Sequence, residues 1–323
     1  MSILSKMRKR LPGGWNYEEF RKIRGILKQL DKEHRVNEYN KIAYDYLKFN
    51  SCLIYIFGTH EHNSRLQETI GYKWMKRHSR DNILTLGKNL RIPLLPIGSI
   101  CGWNYEFRDI FSPCIFYGPC DYDYSAIESD FIEGPYEIND EVSVSEGDIV
   151  IDCGANLGTF SAVACAEGAG TVIAFEPLKN SVYEYLQVLG SQYPNLKIEN
   201  YAVNDHTGTA QFDVDDVNWG GSRISDKSSN RSIEVNVISL DDYVEKNGIR
   251  RVDFIKADIE GAERHMLKGA SRILKEMKPK LSICTYHYPE DPELLKSIIL
   301  EANPDYVIEQ GKMKLYAHVP NRI

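Results

Sequence analysis

The sequence predicts an α/β chain: a doubly wound, mostly parallel sheet of seven strands closed by an antiparallel C-terminal hairpin, preceded by a mixed helical N-terminal domain. Three observations carry this. From residue 149 onward, short apolar runs alternate with helical periods. Glycine-rich or acidic turns follow several of these runs directly. The last two runs are joined by a link too short for a crossover.

In order, the strands are predicted over 149–153, 171–175, 197–201, 252–256 and 280–285, and the helices over 157–166, 181–189, 262–277 and 292–302. Strand, helix, strand in sequence means parallel pairing with right-handed crossovers, hence a sheet covered on both faces. The final strands, 306–309 and 313–318, meet through Gln310-Gly311 and must run antiparallel. Upstream, 17–32 and 36–49 repeat apolar residues at three and four, as amphipathic helices do. A strand over 52–57 leads into a helix through Trp74, and 82–86 reads as another strand. The stretch 93–123 mixes prolines and glycines with Trp103, Tyr105, Phe107, Phe111, Phe116 and Tyr117, as ordered loops or a lid would. The domain boundary falls near residue 125. Residues 1–125 are read as an accessory domain for substrate or for homo-oligomer assembly, and 126–323 as the α/β domain.

Composition narrows the function. The chain has 323 residues, with 39 Lys and Arg against 46 Asp and Glu, for a net charge of −7. Residues 1–50 are basic, with 12 Lys and Arg against 6 acidic residues, but their charges are interleaved along helix faces, and the α/β part is acidic. Nucleic acid is therefore disfavoured as a partner. No run reaches the roughly 18 apolar residues of a membrane span, and the N-terminus turns basic before a secretory core of about 7 to 15 residues can form, so the expected location is cytoplasmic. The seven cysteines are scattered without a C-x-x-C pair and predict reduced, mostly buried thiols and no zinc site.

In such a sheet, ligands bind beyond the carboxyl ends of the strands. The first strand runs into Asp152-Cys153-Gly154-Ala155-Asn156-Leu157-Gly158. A dinucleotide site wants G-x-G-x-x-G, and Asn156 stands where its second glycine would let a pyrophosphate approach, so NAD and FAD are disfavoured. What remains is a tight turn bringing Gly154, Asn156, Gly158 and the Asp152 carboxylate against a ligand without phosphates, such as one with an amino acid group and a nucleoside. The second strand ends in Phe175-Glu176-Pro177, with Glu176 placed to accept hydrogen bonds from both hydroxyls of a ribose and Pro177 setting the next turn. The third ends near Ala202, where an adenine ring would lie.

The fourth strand ends in Lys256-Ala257-Asp258-Ile259-Glu260-Gly261-Ala262-Glu263. Carboxylates this dense need partners. Glu263 is assigned to neutralising the start of the next helix, Lys256 to pairing with Glu260 or Glu263, and Asp258 to chemistry in the cleft. His287, at the end of the fifth strand, is the second catalytic candidate.

Together Val150-Ile-Asp-Cys-Gly-Ala-Asn-Leu-Gly-Thr-Phe160, Ala174-Phe-Glu-Pro177, Ser239-Leu-Asp-Asp-Tyr243 and Lys256-Ala-Asp-Ile-Glu-Gly-Ala-Glu263 resemble the FkbM family of S-adenosylmethionine-dependent methyltransferases over about 130–290. The resemblance implies a Rossmann-like class I methyltransferase fold, S-adenosylmethionine as cofactor, and methyl transfer to a hydroxyl, often of a sugar in a glycan, polysaccharide or natural product. On that reading, Asp258 and His287 flank the acceptor hydroxyl and one of them takes its proton. As ligands for a divalent cation they are only two, too few to support a metal site. Trp219-Gly-Gly-Ser-Arg223 is a candidate substrate clamp, with Arg223 for an anionic group. Two rivals stand beside this: a methyltransferase for nucleic acid or another small molecule, which would want a basic cleft, and a non-catalytic partner protein, which would be expected to lack Glu176 or Asp258.

Overall fold

The computed structural model describes residues 79–80, 83–86, 90–93, 136–138, 141–156, 158–179, 181–214, 222–224, 232–311 and 313–320. The predicted helices over 17–32 and 36–49, the 52–57 strand with its helix, the 93–123 loops beyond Pro93, the boundary near 125 and the Trp219 end of the clamp lie outside these residues.

A three-stranded antiparallel sheet comes first, formed by β1 (Ser79–Arg80), β2 (Ile83–Leu86) and β3 (Leu90–Pro93). The Tyr193 hydroxyl ties it to the rest of the chain, accepting from the Arg91 N–H at 2.6 Å and donating to the Arg91 carbonyl at 3.0 Å.

The main body follows as β4 (Ile149–Cys153), α1 (Thr159–Ala166), β5 (Thr171–Phe175), α2 (Ser181–Gly190) and β6 (Leu196–Glu199). A smaller sheet then forms from β7 (Ala202–Val203), β8 (Gly208–Asp213), β9 (Arg223–Ile224) and β10 (Ser232–Ile238), in the order β7-β10-β8-β9. The chain returns through α3 (Leu240–Lys246), β11 (Phe254–Ala257), α4 (Glu263–Lys268), a π-helical segment (Ile273–Met277), β12 (Lys280–Cys284), α5 (Asp291–Ala302), β13 (Val307–Gln310) and β14 (Lys314–His318).

The seven-stranded sheet has the order β13-β14-β12-β11-β4-β5-β6, and only β14 runs against its neighbours. The predicted closing hairpin is therefore present. Strand periodicity splits the side chains between two faces. Ile151, Ile173, Ile255, Leu281 and Leu315 enter one core with Met266, Leu267, Leu295 and Ile299 from the helices, while Ala174 packs with Leu186 of α2 on the other face. Each fully buried side chain of this size contributes roughly 1.5–3 kcal/mol. Ser239 caps α3, its Oγ accepting the Asp242 N–H at 3.1 Å, and Asp241 and Asp242 sit in the positive first turn. The Tyr243 hydroxyl then donates to Glu199 at 2.9 Å, fastening α3 to the end of β6.

Two expected elements differ. The third strand stops at Glu199 rather than residue 201, because Asn200 turns its amide back onto the carbonyls of Glu176 and Pro177, at 2.9 and 2.8 Å, and the next residues pair with β10 instead. The helix expected over 262–277 is interrupted: α4 ends at Lys268, a turn at Gly269 and Ala270 follows, and helical backbone resumes into the π-helical segment, with Gly269 so close to Asn204 that a Cβ would lie 2.3 Å from its carbonyl oxygen. Among the described residues no helix is long and apolar enough to cross a membrane, and Cys153, Cys165 and Cys284 are free thiols.

Candidate functional site

The adjacent parallel strands β5, β4 and β11 end side by side, and their turns are knitted together by backbone hydrogen bonds. Gly154 and Ala155 donate to the Phe175 carbonyl at 3.1 and 2.9 Å, and Asp258 donates to the Cys153 carbonyl at 3.2 Å. Gly154 has φ +75°, and a Cβ there would stand 2.0 Å from the Asp258 carbonyl oxygen. Only glycine fits so close a backbone crossing. Asn156 also takes a left-handed conformation, at φ 50°, which asparagine tolerates.

Glu176 bridges two of these turns, accepting the Asn156 N–H at 3.0 Å and the Leu178 N–H at 3.0 Å on separate oxygens. Each oxygen keeps a second lone pair for a ligand donor. Burial pushes the carboxyl up to about 7, against the lowering effect of the two amides. A ribose diol is better accepted by the ionised form. Donor affinity should therefore rise about tenfold per pH unit while the group is mostly protonated and level off above neutrality. Glu176→Gln should flatten that dependence, measured by calorimetric titration between pH 6 and 8.

Asp152, expected to be brought against the ligand by the turn, lies elsewhere. It is fully buried beneath the turn, accepting the Ser161 hydroxyl at 2.7 Å and facing the Lys256 ammonium at 3.1 Å. Lys256 was expected to pair with Glu260 or Glu263. It instead stands in register opposite Asp152 on the same sheet face, and donates to the Gly154 carbonyl at 2.8 Å. Gly158 serves helix packing, since a Cβ on it would meet Leu186 at 2.5 Å. Ala202 lies in the smaller sheet, buried with Leu178, Phe212, Val235 and Val237, and Pro177 follows Glu176 with its carbonyl held by Asn200.

Asp258 and His287 do come together, with Nε2 3.6 Å from a carboxylate oxygen. Tyr136 and Tyr286, which sequence reasoning missed, donate their hydroxyls to the two Asp258 oxygens at 2.8 and 3.1 Å. Tyr286 was within reach as the neighbour of His287, whereas Tyr136 lies in a segment with no periodic signal. The Tyr136 ring lies under two ammonium groups, Lys314 at 4.4 Å and Lys256 at 5.2 Å. Burial works to raise the Asp258 carboxyl, but Lys256, His287 and Lys314 outweigh it and hold the group below the ordinary carboxylate range. Burial alone would lower His287, yet Glu260, Glu263 and Asp258 raise it to about 10, so without a further ligand the imidazole is charged near neutrality. Of the two expected proton acceptors, Asp258 is the ionised one. As expected, Glu263 braces the next helix start, accepting the Ile259 and Gly261 N–H groups at 2.8 and 2.9 Å.

In a mostly parallel α/β sheet, turns that converge at the carboxyl ends of the central strands form the place where a ligand binds. Residues 152–308 match the methyltransferase FkbM domain. It is 27% identical over 158 residues to hexuronic acid methyltransferase AglP of Haloferax volcanii, covering 49% of this chain and 63% of that protein. It is 26% identical to 31-O-demethyl-FK506 methyltransferase FkbM of Streptomyces tacrolimicus, covering 40% of this chain and 61% of that one. Methyltransferase FkbM from Methylobacillus flagellatus is a similar solved structure, at 25% identity and a TM-score of 0.45, covering 58% of this chain and 48% of that one. The chain thus spans less than two thirds of the length of either curated relative.

Proposed function

We propose that the chain is an S-adenosylmethionine-dependent O-methyltransferase whose acceptor is a hydroxyl of a sugar, in a glycan, polysaccharide or natural product. The observation that carries this is the convergence of the Gly154 turn, Glu176 and Asp258 at three neighbouring strand ends, within the segment that matches the methyltransferase FkbM domain. The activities for which the two curated relatives are named, on a hexuronic acid and on an oxygen of a natural product, favour a hydroxyl acceptor.

When bound, S-adenosylmethionine supplies an activated methyl group. The chain's share is to bind, orient and accept a proton. Glu176 receives the ribose hydroxyls on its remaining lone pairs, and the Gly154 turn leaves its backbone bare for close approach. Asp152 and Lys256 act beneath the turn as positioning residues. Asp258, fixed by two tyrosine hydroxyls, accepts a hydrogen bond from the acceptor hydroxyl and aligns its oxygen for in-line attack. Orientation is the larger contribution, with effective molarities of about 10⁵ to 10⁸ M against roughly 10² to 10⁴ in rate for a general base.

Asp258→Asn should accordingly lower turnover by about 10² or more while leaving donor affinity within about twofold, since Asp258 supports acceptor alignment rather than the ribose. Incubation with labelled donor and a panel of uronic acids, nucleotide sugars, glycans and small alcohols tests the reading. Label transfer to a sugar hydroxyl supports it, and transfer to nucleic acid alone contradicts it.

A further inference from the structure

We propose that Asp258, Glu260 and His287 form a binding site for one divalent cation of the Mn²⁺ or Mg²⁺ class, seated where the acceptor hydroxyl arrives. For its chemical purpose this rests on the methyl-transfer reading, but the site is defined by side chains alone. From the sequence, Asp258 and His287 were two ligands. The fold supplies the third, because Glu260 takes a left-handed conformation at φ 56° and Gly261 follows at φ 97°, which folds the Glu260 carboxylate back over the cleft. Ligand atoms of Asp258, Glu260 and His287 all lie within 4.8 Å of one another.

The independent observation is His287. Its side chain is 7% exposed, and neither ring nitrogen makes a hydrogen bond of acceptable geometry. The ring is held there by the charge of three neighbouring carboxylates rather than by hydrogen bonds, which leaves its nitrogens open to a ligand. Its two nitrogens face different surroundings. Nε2 looks between Glu260 and Asp258, at 3.4 and 3.6 Å, while Nδ1 is 3.3 Å from the nearly inaccessible Glu263. A metal-bound histidine characteristically has this arrangement, with one nitrogen on the ion and the other N–H on a carboxylate that fixes the tautomer. An ion about 2.1 Å from each donor sets neighbouring donors roughly 3 Å apart, so Nε2 and the two carboxylates it faces, at 3.4 and 3.6 Å, are close to that spacing, while the Asp258 and Glu260 oxygens stand within 4.8 Å of each other.

A second grouping, Glu263, His287 and Asp291, is also compact but already spent. Glu263 accepts two backbone amides, and Asp291 is held by Arg264 at 2.5 Å and by the Tyr288 N–H at 3.0 Å. Two carboxylates with one neutral imidazole suit a hard dication, and the imidazole favours Mn²⁺ over Mg²⁺. Lys314 and Lys256 lie near Asp258, although Asp152 offsets the latter, so affinity should be moderate rather than tight. There the ion would lower the pKa of a coordinated acceptor hydroxyl, leaving Asp258 to align it.

The test is Mn²⁺ titration of the full chain, stripped with chelator, followed by electron paramagnetic resonance without donor or acceptor. One saturable Mn²⁺ per chain, displaced by Mg²⁺ and weakened about tenfold or more in Glu260→Gln, is the expected result. Pulsed measurements on the wild type should show a directly bound imidazole nitrogen, a readout that survives if the variant does not fold. No saturable ion, or an ion without imidazole coupling, overturns the proposal. Mn²⁺ bound with imidazole coupling but no methyl transfer would instead overturn the enzymatic reading alone.

Discussion

Lys256→Met is expected to cost about 3–5 kcal/mol of folding stability, because it leaves the Asp152 carboxylate charged and alone in the sheet. The side chains are 6% and 0% exposed, with 3.1 Å between their charged atoms. Water cannot reach the orphaned charge, and the Ser161 hydroxyl satisfies only one of its oxygens. Losing the ammonium also removes the bond to the Gly154 carbonyl, so the turn above loosens along with the pair. Urea denaturation with and without Asp152→Asn checks this. The double variant should be less destabilised than the sum of the singles by on the order of 2 kcal/mol, as contacting residues couple.

Gly154→Ala is expected to abolish donor binding and to remove about 4 kcal/mol of stability, at the top of the range for single substitutions. A left-handed φ of +75° alone costs an L-residue about 1–2 kcal/mol. The rest comes from collision, chiefly with backbone, since the new Cβ would lie 2.0 Å from the Asp258 carbonyl oxygen and 3.1 Å from its carbon, besides 2.9 Å from an Ile259 side-chain methyl. Backbone cannot rotate away as a side-chain tip can, so the β4 and β11 turns must part. Gly248→Ala is the matched control, because Gly248 also has a positive φ, +63°, but nothing within 4 Å of its would-be Cβ. It should cost only about 1–2 kcal/mol and leave donor binding intact.

Much of this was legible in the sequence, and the remainder was not for identifiable reasons. β4, β5, β11 and β12 are short apolar runs bounded by turns, and residues placed at their ends by chain order alone do lie at the sheet's carboxyl edge. The meeting of Asp258 with His287 and the bracing by Glu263 followed from strand ends and helix starts, both of which are local signals. The pairing of Lys256 with Asp152 was not local. It depends on which strands are neighbours and in what register, information carried by the whole core rather than by either motif. Tyr136 escaped for the same reason, being a partner of Asp258 122 positions away in sequence. The break after Glu199 was hidden because 197–201 reads as one strand, and only the return of Asn200 onto the Glu176 turn ends it early and sends the next residues to the smaller sheet. Glu260 read as a possible partner for Lys256, and its left-handed backbone instead turns it toward His287.

The most direct measurement is a calorimetric titration of S-adenosylmethionine into the purified wild-type chain and into Glu176→Gln. One saturable site is expected in the wild type. In the variant it should be weakened about tenfold, as loss of a charge-assisted hydrogen bond to the ribose requires. Absence of heat in the wild type, or equal affinity in a correctly folded Glu176→Gln, would contradict donor binding at these strand ends.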